Sequence, residues 1–248
     1  MLALRQWLGL LRSRLMYYGK PFNRRRLRQF YQQFVPQGGL CFDIGAHLGN
    51  RSDAFLQLGA TVVAVEPQPV CVSYLQKRFG NNPQFHLLPQ AVGAQMGLAT
   101  LHVSSLTPTI STLAGQHFQQ AIQADTSFQV DWDQEVEVPV VTLDQMIAEF
   151  GVPDFCKIDV EDFEVEVLAG LSQALPSLSL EYFAYLSDRA LLCVEKLARL
   201  GDYQYQISYG ESQQLLFPQW VEQAEIEDFL QTLRPSDRSG DIYARLKA

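Results

Sequence analysis

Apolar residues recur at Leu4, Trp7, Leu8, Leu11 and Leu15 with helical spacing, and again at Leu27, Phe30, Tyr31 and Phe34 after Pro21 interrupts the first run. The pattern predicts two short amphipathic helices ahead of the main body. Beyond residue 40 the period changes. Short apolar runs suited to buried strands alternate with helical stretches: strand 40–44, helix 50–58 stopped by Gly59, strand 61–66, helix 69–79 stopped by Gly80, strand 85–92. Strands at 98–103 and 136–141 flank a tract, 104–135, rich in Ser, Thr and Gln. Its length exceeds an ordinary connection, so a functional or mobile excursion over the active site is expected. A helix at 143–150, strands at 155–160 and 178–184, and a last strand pair, 203–209 with 240–246, follow; within 212–235, a second insertion, a helix is expected near 221–233. This alternation predicts an α/β fold, doubly wound around a mostly parallel sheet.

With 248 residues and 47% hydrophobic content, the chain can bury one sizeable core. The expected organisation is a pair of basic amphipathic helices over 1–35, part of or appended to the core, and a single domain over 36–248. No apolar run reaches the roughly eighteen residues of a membrane span. The N-terminus lacks the uninterrupted apolar stretch and small-residue cleavage site of a signal peptide, which leaves the cytoplasm as the default. Cys41, Cys71, Cys156 and Cys193 form no C-x-x-C pair and read as reduced core thiols. Residues 1–42 carry eight basic side chains and no acid, against a total of 19 basic and 27 acidic, so the remainder stands at 11 minus 27, or −16. So acidic a body excludes nucleic-acid binding, which depends on phosphate contacts. Only the N-terminal segment suits an anionic surface, and a peripheral membrane contact through residues 1–34 is one reading of it. No motif speaks to oligomeric state.

Candidate chemistry concentrates at two strand ends. Asp43 ends the first strand and is followed by the turn Gly45-Ala46-His47-Leu48-Gly49-Asn50 into a helix; Glu66, followed by Pro67, ends the second strand 21 residues after Gly45. This layout describes a pocket for an adenosine-type cofactor, with Glu66 accepting both ribose hydroxyls. A dinucleotide fingerprint from Gly45 would need glycine at 47 and 50, where His47 and Asn50 stand, so a nicotinamide enzyme is disfavoured. Asp43 would repel a diphosphate but suits the amino group and sulfonium of S-adenosylmethionine (SAM). Gly45 and Gly49 would let the backbone pass close to the ligand, and N–H groups near Asn50, Arg51 and Ser52 would hold the methionine carboxylate. Ser52 serves equally as a helix cap, and His47 either bonds that carboxylate or is structural. Gln90 and Ala91 fall where the adenine edge and face belong.

The second strand end is Lys157-Ile158-Asp159-Val160-Glu161, where alternation places Lys157, Asp159 and Glu161 on one side. Three ionisable groups in a central parallel strand need partners. Asp159 or Glu161 could take a proton from an acceptor hydroxyl, and Lys157 could do so if burial lowers its pKa; the alternative for Lys157 is a buried ion pair with Asp159 that fixes the sheet. Glu181 either completes the site or caps its strand. No EF-hand or His-rich spacing accompanies Asp159, Glu161 and Glu181, so no metal is assigned.

Phe42-Asp43-Ile44-Gly45-Ala46-His47-Leu48-Gly49, Val63-Ala64-Val65-Glu66-Pro67, Val141-Thr142-Leu143-Asp144 and Lys157-Ile158-Asp159-Val160-Glu161, in this order, resemble the FkbM-type SAM-dependent methyltransferases. Ser111-Thr112 resembles a further short family segment, though an ST turn explains it nearly as well. The resemblance implies a Rossmann-like class I methyltransferase, with a doubly wound seven-stranded sheet whose last strand is antiparallel. SAM would be the cofactor, and a small-molecule, glycan or lipid-linked saccharide hydroxyl the methyl acceptor. The family usually has glycine after the position of Glu161. Asp162 stands here, tolerable if the backbone is left-handed and able to narrow the acceptor pocket. The competing function is a non-catalytic SAM-binding module recruited to a membrane or partner through the basic helices.

Overall fold

A computed structural model describes residues 2–19, 22–124 and 130–247. Lys20, Pro21 and residues 125–129 of the first insertion lie outside the described residues, as do the side chains of Leu4 and His117. The strands in chain order are β1 (Leu40–Ile44), β2 (Thr61–Val65), β3 (Phe85–Leu88), β4 (Ala91–Val92), β5 (Gly97–Val103), β6 (Gln134–Val141), β7 (Phe155–Ile158), β8 (Ser177–Tyr182), β9 (Tyr203–Tyr209) and β10 (Gly240–Leu246). The helices are α1 (Leu2–Tyr18), α2 (Asn23–Tyr31), α3 (Asn50–Gln57), α4 (Pro69–Phe79), α5 (Gln116–Ala124), α6 (Leu143–Phe150), α7 (Glu164–Ala169), α8 (Ser187–Leu200) and α9 (Gln223–Thr232).

Seven strands form one sheet in the order β3-β2-β1-β7-β8-β10-β9, parallel except for β10, which runs antiparallel to both neighbours. Its strands are apolar on both faces, and each face has its own coat of helices. Phe42, Ile44, Val63, Val65, Cys156 and Ile158 pack towards α6, α7, α8 and α9; Cys41, Val62, Ala64 and Phe155 pack towards α2, α3 and α4. The second coat is closed by aromatic rings: Phe34 of the α2 segment stacks on Phe155 and Tyr243, while Tyr31 meets Phe55 edge-on at 4.9 Å. Helix α2 is thereby part of the core.

The expected strand 85–92 is two strands. Pro89 has no N–H to continue the ladder, and the chain crosses after it to a second, three-stranded sheet, β4-β6-β5. The connection between β5 and β6 is no loose polar tract: Ile110, Ala114, Phe118, Ile122 and Val130 form a small core of their own beside Trp132 and Phe183. The second insertion packs on the body, with Ile226 and Leu230 of α9 in the main core and Trp220 against Phe34. Helices α7 and α8 complete the alternation and were absent from the sequence reading.

Candidate active site

Parallel pairing sets Ile44 beside Val65 and Ile158, so β1, β2 and β7 end together and their following residues surround one cleft. Asp43, Glu66 and Lys157 line it, as do Gln90 and Ala91 from the β3–β4 crossing; Pro108, Thr109, Ser111 and Leu113 of the first insertion form the far wall.

The turn after β1 is shaped by its neighbours. Gly45 has φ +79°, and a Cβ there would lie 1.8 Å from the Asp159 carbonyl oxygen, so glycine lets β1 and the chain leaving β7 approach each other. At Gly49, φ +71°, a Cβ would meet the Phe79 ring at 2.6 Å. Gly49 answers to protein packing and does not reach the cleft, whereas Gly45 meets a packing need and also lines it. Ala46, His47 and Asn50 line the cleft with Gly45. Gly49 and Ser52 do not reach it; Ser52 is fully buried and donates to Asp43 Oδ2 at 2.5 Å.

Glu66 is built in rather than solvated. One carboxylate oxygen accepts the His47 N–H at 2.7 Å and the other the Gln68 N–H at 2.8 Å, leaving a lone pair on each for the cleft. Pro67 lines the cleft beside it. Burial pushes Glu66 up to about 7 and pulls His47 down to about 4, so the imidazole is neutral at physiological pH. Burial also raises Asp43.

On β7, Lys157 is buried and hydrogen-bonds Asp159. Burial alone would lower its pKa, but Asp159 and Asp241 more than offset that and hold it above the usual lysine range. Lys157 therefore stays an ammonium, which removes it as a base and favours the ion-pair reading. Burial pushes Asp159 up, yet the Lys157 charge and hydrogen bond hold it below the usual carboxylate range. The strand ends at Ile158, and the alternation inferred for Glu161 stops with it: Glu161 and Asp162 are left-handed, φ +55° and +72°. The turn still brings one oxygen each of Asp159, Glu161 and Glu181 within 4.8 Å of one another. Burial, then Asp159, raise both Glu161 and Glu181 well above the usual range. The Thr112 hydroxyl fixes this turn by donating to the Glu161 carbonyl at 2.6 Å. The Asp162 side chain leaves the cleft to pair with Arg189 Nε at 2.7 Å, so it does not narrow the acceptor pocket.

Sequence reasoning placed Arg51 only through its backbone N–H, and missed its guanidinium together with Gln68 and Glu211. Arg51 Nη2 donates to Glu211 Oε1 at 2.8 Å, while its Nε and Nη1, with Asn50 Nδ2, are buried without a partner among the described residues. Gln68 ties the cleft wall together, donating to the Pro108 carbonyl at 3.0 Å and accepting from the Ser111 hydroxyl at 3.1 Å. Glu211 immediately precedes the second insertion, and residues 212–235 do not line the cleft.

The buried acids set a pH dependence. Glu66 and Glu164, the latter pushed up to about 8 by burial, hold protons in the folded chain that an unfolded chain, near 4.5, has released. Stability therefore falls as pH rises towards 8. His47 opposes this only below its unfolded value of 6.5, where the unfolded chain takes the extra proton. The ligand-free protein should melt higher at pH 6.5 than at pH 8, by roughly several degrees in scanning calorimetry; a higher melting temperature at pH 8 would contradict the assignment.

The sheet order with its single antiparallel strand is that of the Rossmann-like class I methyltransferase fold. The sequence model of the methyltransferase FkbM domain matches residues 43–232, and the chain belongs to that family, whose cofactor is S-adenosylmethionine. No curated protein matches the chain. Among solved structures, a precorrin-6y C5,15-methyltransferase from Geobacter metallireducens is similar with TM-score 0.47 and 11% identity, over 90% of this chain and 86% of that one. A TehB-like SAM-dependent methyltransferase from Corynebacterium glutamicum gives 0.44 and 12%, over 95% and 94%. An O-methyltransferase from Bacillus cereus in complex with SAH gives 0.42 and 11%, over 99% and 90%. At these scores the family match alone carries the assignment. Among the described residues no helix is long and apolar enough to cross a membrane.

Proposed function

We propose that this methyltransferase alkylates a hydroxyl oxygen of a small metabolite, a glycan or a lipid-linked saccharide. The observation that carries the reading is that Asp159 and Glu161, with Glu181 close behind them, stand at the wall of the cleft that also holds Asp43 and Glu66: Asp159 and Glu161 line it, and one oxygen of each of the three acids lies within 4.8 Å of the others. When bound, SAM supplies an electrophilic methyl on a sulfonium that is its own leaving group. Alignment of the acceptor then supplies much of the rate, and a hydroxyl acceptor additionally needs a base.

The residues present fit the cofactor. Buried donors without partners among the described residues, Asn50 Nδ2 and Arg51 Nε and Nη1 at the start of α3, ask for an anionic oxygen such as the methionine carboxylate. Asp43 suits the ammonium, the spare lone pairs of Glu66 suit the ribose hydroxyls, and Gln90 and Ala91 flank the adenine position. Lys157 acts as a positioning residue that keeps Asp159 ionised. Glu161 is the base: its raised pKa makes it a strong proton acceptor once ionised, and a cationic occupant favours that ionised form. The family match favours this enzyme over a non-catalytic SAM-binding module. Four buried thiols support the cytoplasm as its compartment.

Incubation with SAM and a panel of hydroxyl acceptors should yield a product heavier by one methylene, with the methyl on oxygen. Glu161→Gln should cut turnover on the order of 10²- to 10⁴-fold while SAM affinity stays within about threefold. A product methylated on nitrogen or carbon, or full turnover in Glu161→Gln, would sink the reading.

A further inference from the structure

Helix α1 is amphipathic in the inverted sense. The face it turns to the body is small and polar: a Cβ on Gly9 would lie 2.2 Å from the Ser105 carbonyl oxygen, and Ser13, one turn on, is 3% exposed. The ends of the helix are tied by polar contacts, Arg5 to Asp131 and Asp133 of the first insertion and the Tyr18 hydroxyl to the Leu48 carbonyl. The opposite face presents Trp7, Leu8, Leu11 and Leu15, exposed by 59, 44, 38 and 63%. These four fall within an arc of about 100° on the helical wheel, bordered on one side by Arg14 and on the other by Arg12. Both arginines are exposed, and neither pairs with an acid among the described residues.

An apolar face directed at water costs free energy unless something covers it. The chain's own charge says what suits it. Of the eight basic residues of 1–42, Arg5 is taken up by Asp131 and Asp133 and Arg24 by Asp53, and no acid lies within that stretch to neutralise Arg12 and Arg14; the remaining −16 would be repelled by an anionic surface and leave this face as the one that can approach. Arginines at both borders of an arc of tryptophan and leucine match the depth profile of a bilayer, apolar in the centre of the contact and anionic at the headgroups. We propose that the outward face of α1 docks on an anionic lipid surface, with Trp7, Leu8, Leu11 and Leu15 in the acyl boundary and Arg12 and Arg14 on the headgroups. Binding of this size is peripheral and reversible, and it stands apart from the identity of the methyl acceptor. Because α1 rests against the turn at 108–110, whose Pro108 and Thr109 line the cleft, docking would bring one cleft wall close to the lipid.

Co-sedimentation of the full chain with vesicles tests the proposal. The protein should pellet at low salt with phosphatidylcholine vesicles containing phosphatidylglycerol and not with phosphatidylcholine alone, and high salt should weaken the binding by at least about tenfold. Trp7→Ser/Leu15→Ser, and separately Arg12→Glu/Arg14→Glu, should each weaken it by about tenfold or more while the melting temperature moves by no more than about 3 °C, since the altered side chains are mostly exposed. No pelleting of the wild type at low salt would overturn the proposal, as would binding unaffected by both variants. So would light scattering that shows a wild-type dimer reduced to a monomer by the double serine variant while vesicle binding persists, because a second copy would then be what covers the face.

Discussion

Glu66→Ala is expected to lose SAM binding by at least about 100-fold in titration calorimetry, the charge-assisted hydrogen bonds to two hydroxyls being worth about 1.5–3 kcal/mol each. The same carboxylate also accepts the His47 and Gln68 N–H groups, so alanine leaves two buried donors without partners and lowers stability by about 2–5 kcal/mol. Glu66→Gln separates the two effects. Its amide oxygen can accept one of those N–H groups while its NH₂ opposes the other, so it keeps part of the support and can receive only one hydroxyl. Its affinity should fall between those of wild type and Glu66→Ala, by roughly tenfold from wild type. Wild-type affinity in a folded Glu66→Ala would remove Glu66 from the ribose site.

The second large effect is on stability. Asp159→Ala takes from the buried Lys157 ammonium its hydrogen-bonded partner, leaving Asp43 and Asp241 as neighbouring acids and Arg51 as an opposing cation, and breaking a buried pair typically costs about 3–5 kcal/mol. For a chain of this size the melting temperature should fall on the order of 10 °C. Lys157→Met removes the stranded charge while keeping the length of the side chain. Adding it to Asp159→Ala should restore most of the lost stability, and the coupling should appear as strong non-additivity in the double-mutant cycle. If the double variant melts as low as Asp159→Ala alone, Lys157 is not held by that pair, and its role in keeping Asp159 ionised fails too.

Much of this site lies in local sequence. The strand-end acids Asp43 and Glu66, with the intervening turn, are visible because parallel strands of fixed length bring their ends together, and Lys157 and Asp159 stand out as charges in an otherwise apolar strand. What the sequence hides is set by distance. Arg51 looks like any residue in a first helical turn until Glu211, 160 residues further on, reaches its guanidinium. Gly45 is legible as a turn glycine beside the cleft, but not as the residue that also makes room for the Asp159 carbonyl. Asp162 departs from the glycine that its family favours, yet φ +72° and the pair with Arg189 give it a structural use that only α8 reveals. Helix α8 itself was passed over, although Ala190, Cys193, Val194 and Leu197, all buried, keep helical spacing. The apolar stripe of α1 was legible as amphipathic but not as outward-facing, because periodicity reports that two faces differ and not which one meets the body. Gly9 and Ser13 decide that.

The central claim is that two carboxylates at adjoining strand ends receive a cationic nucleoside. Its most direct test is a crystal structure with S-adenosylhomocysteine, which shares the adenosine and amino-acid ends of SAM. Both ribose hydroxyls should lie within hydrogen-bond distance of Glu66, with the ammonium near Asp43 and the carboxylate at Asn50 and Arg51. A nucleoside bound elsewhere, or one whose ribose does not touch Glu66, would contradict the account.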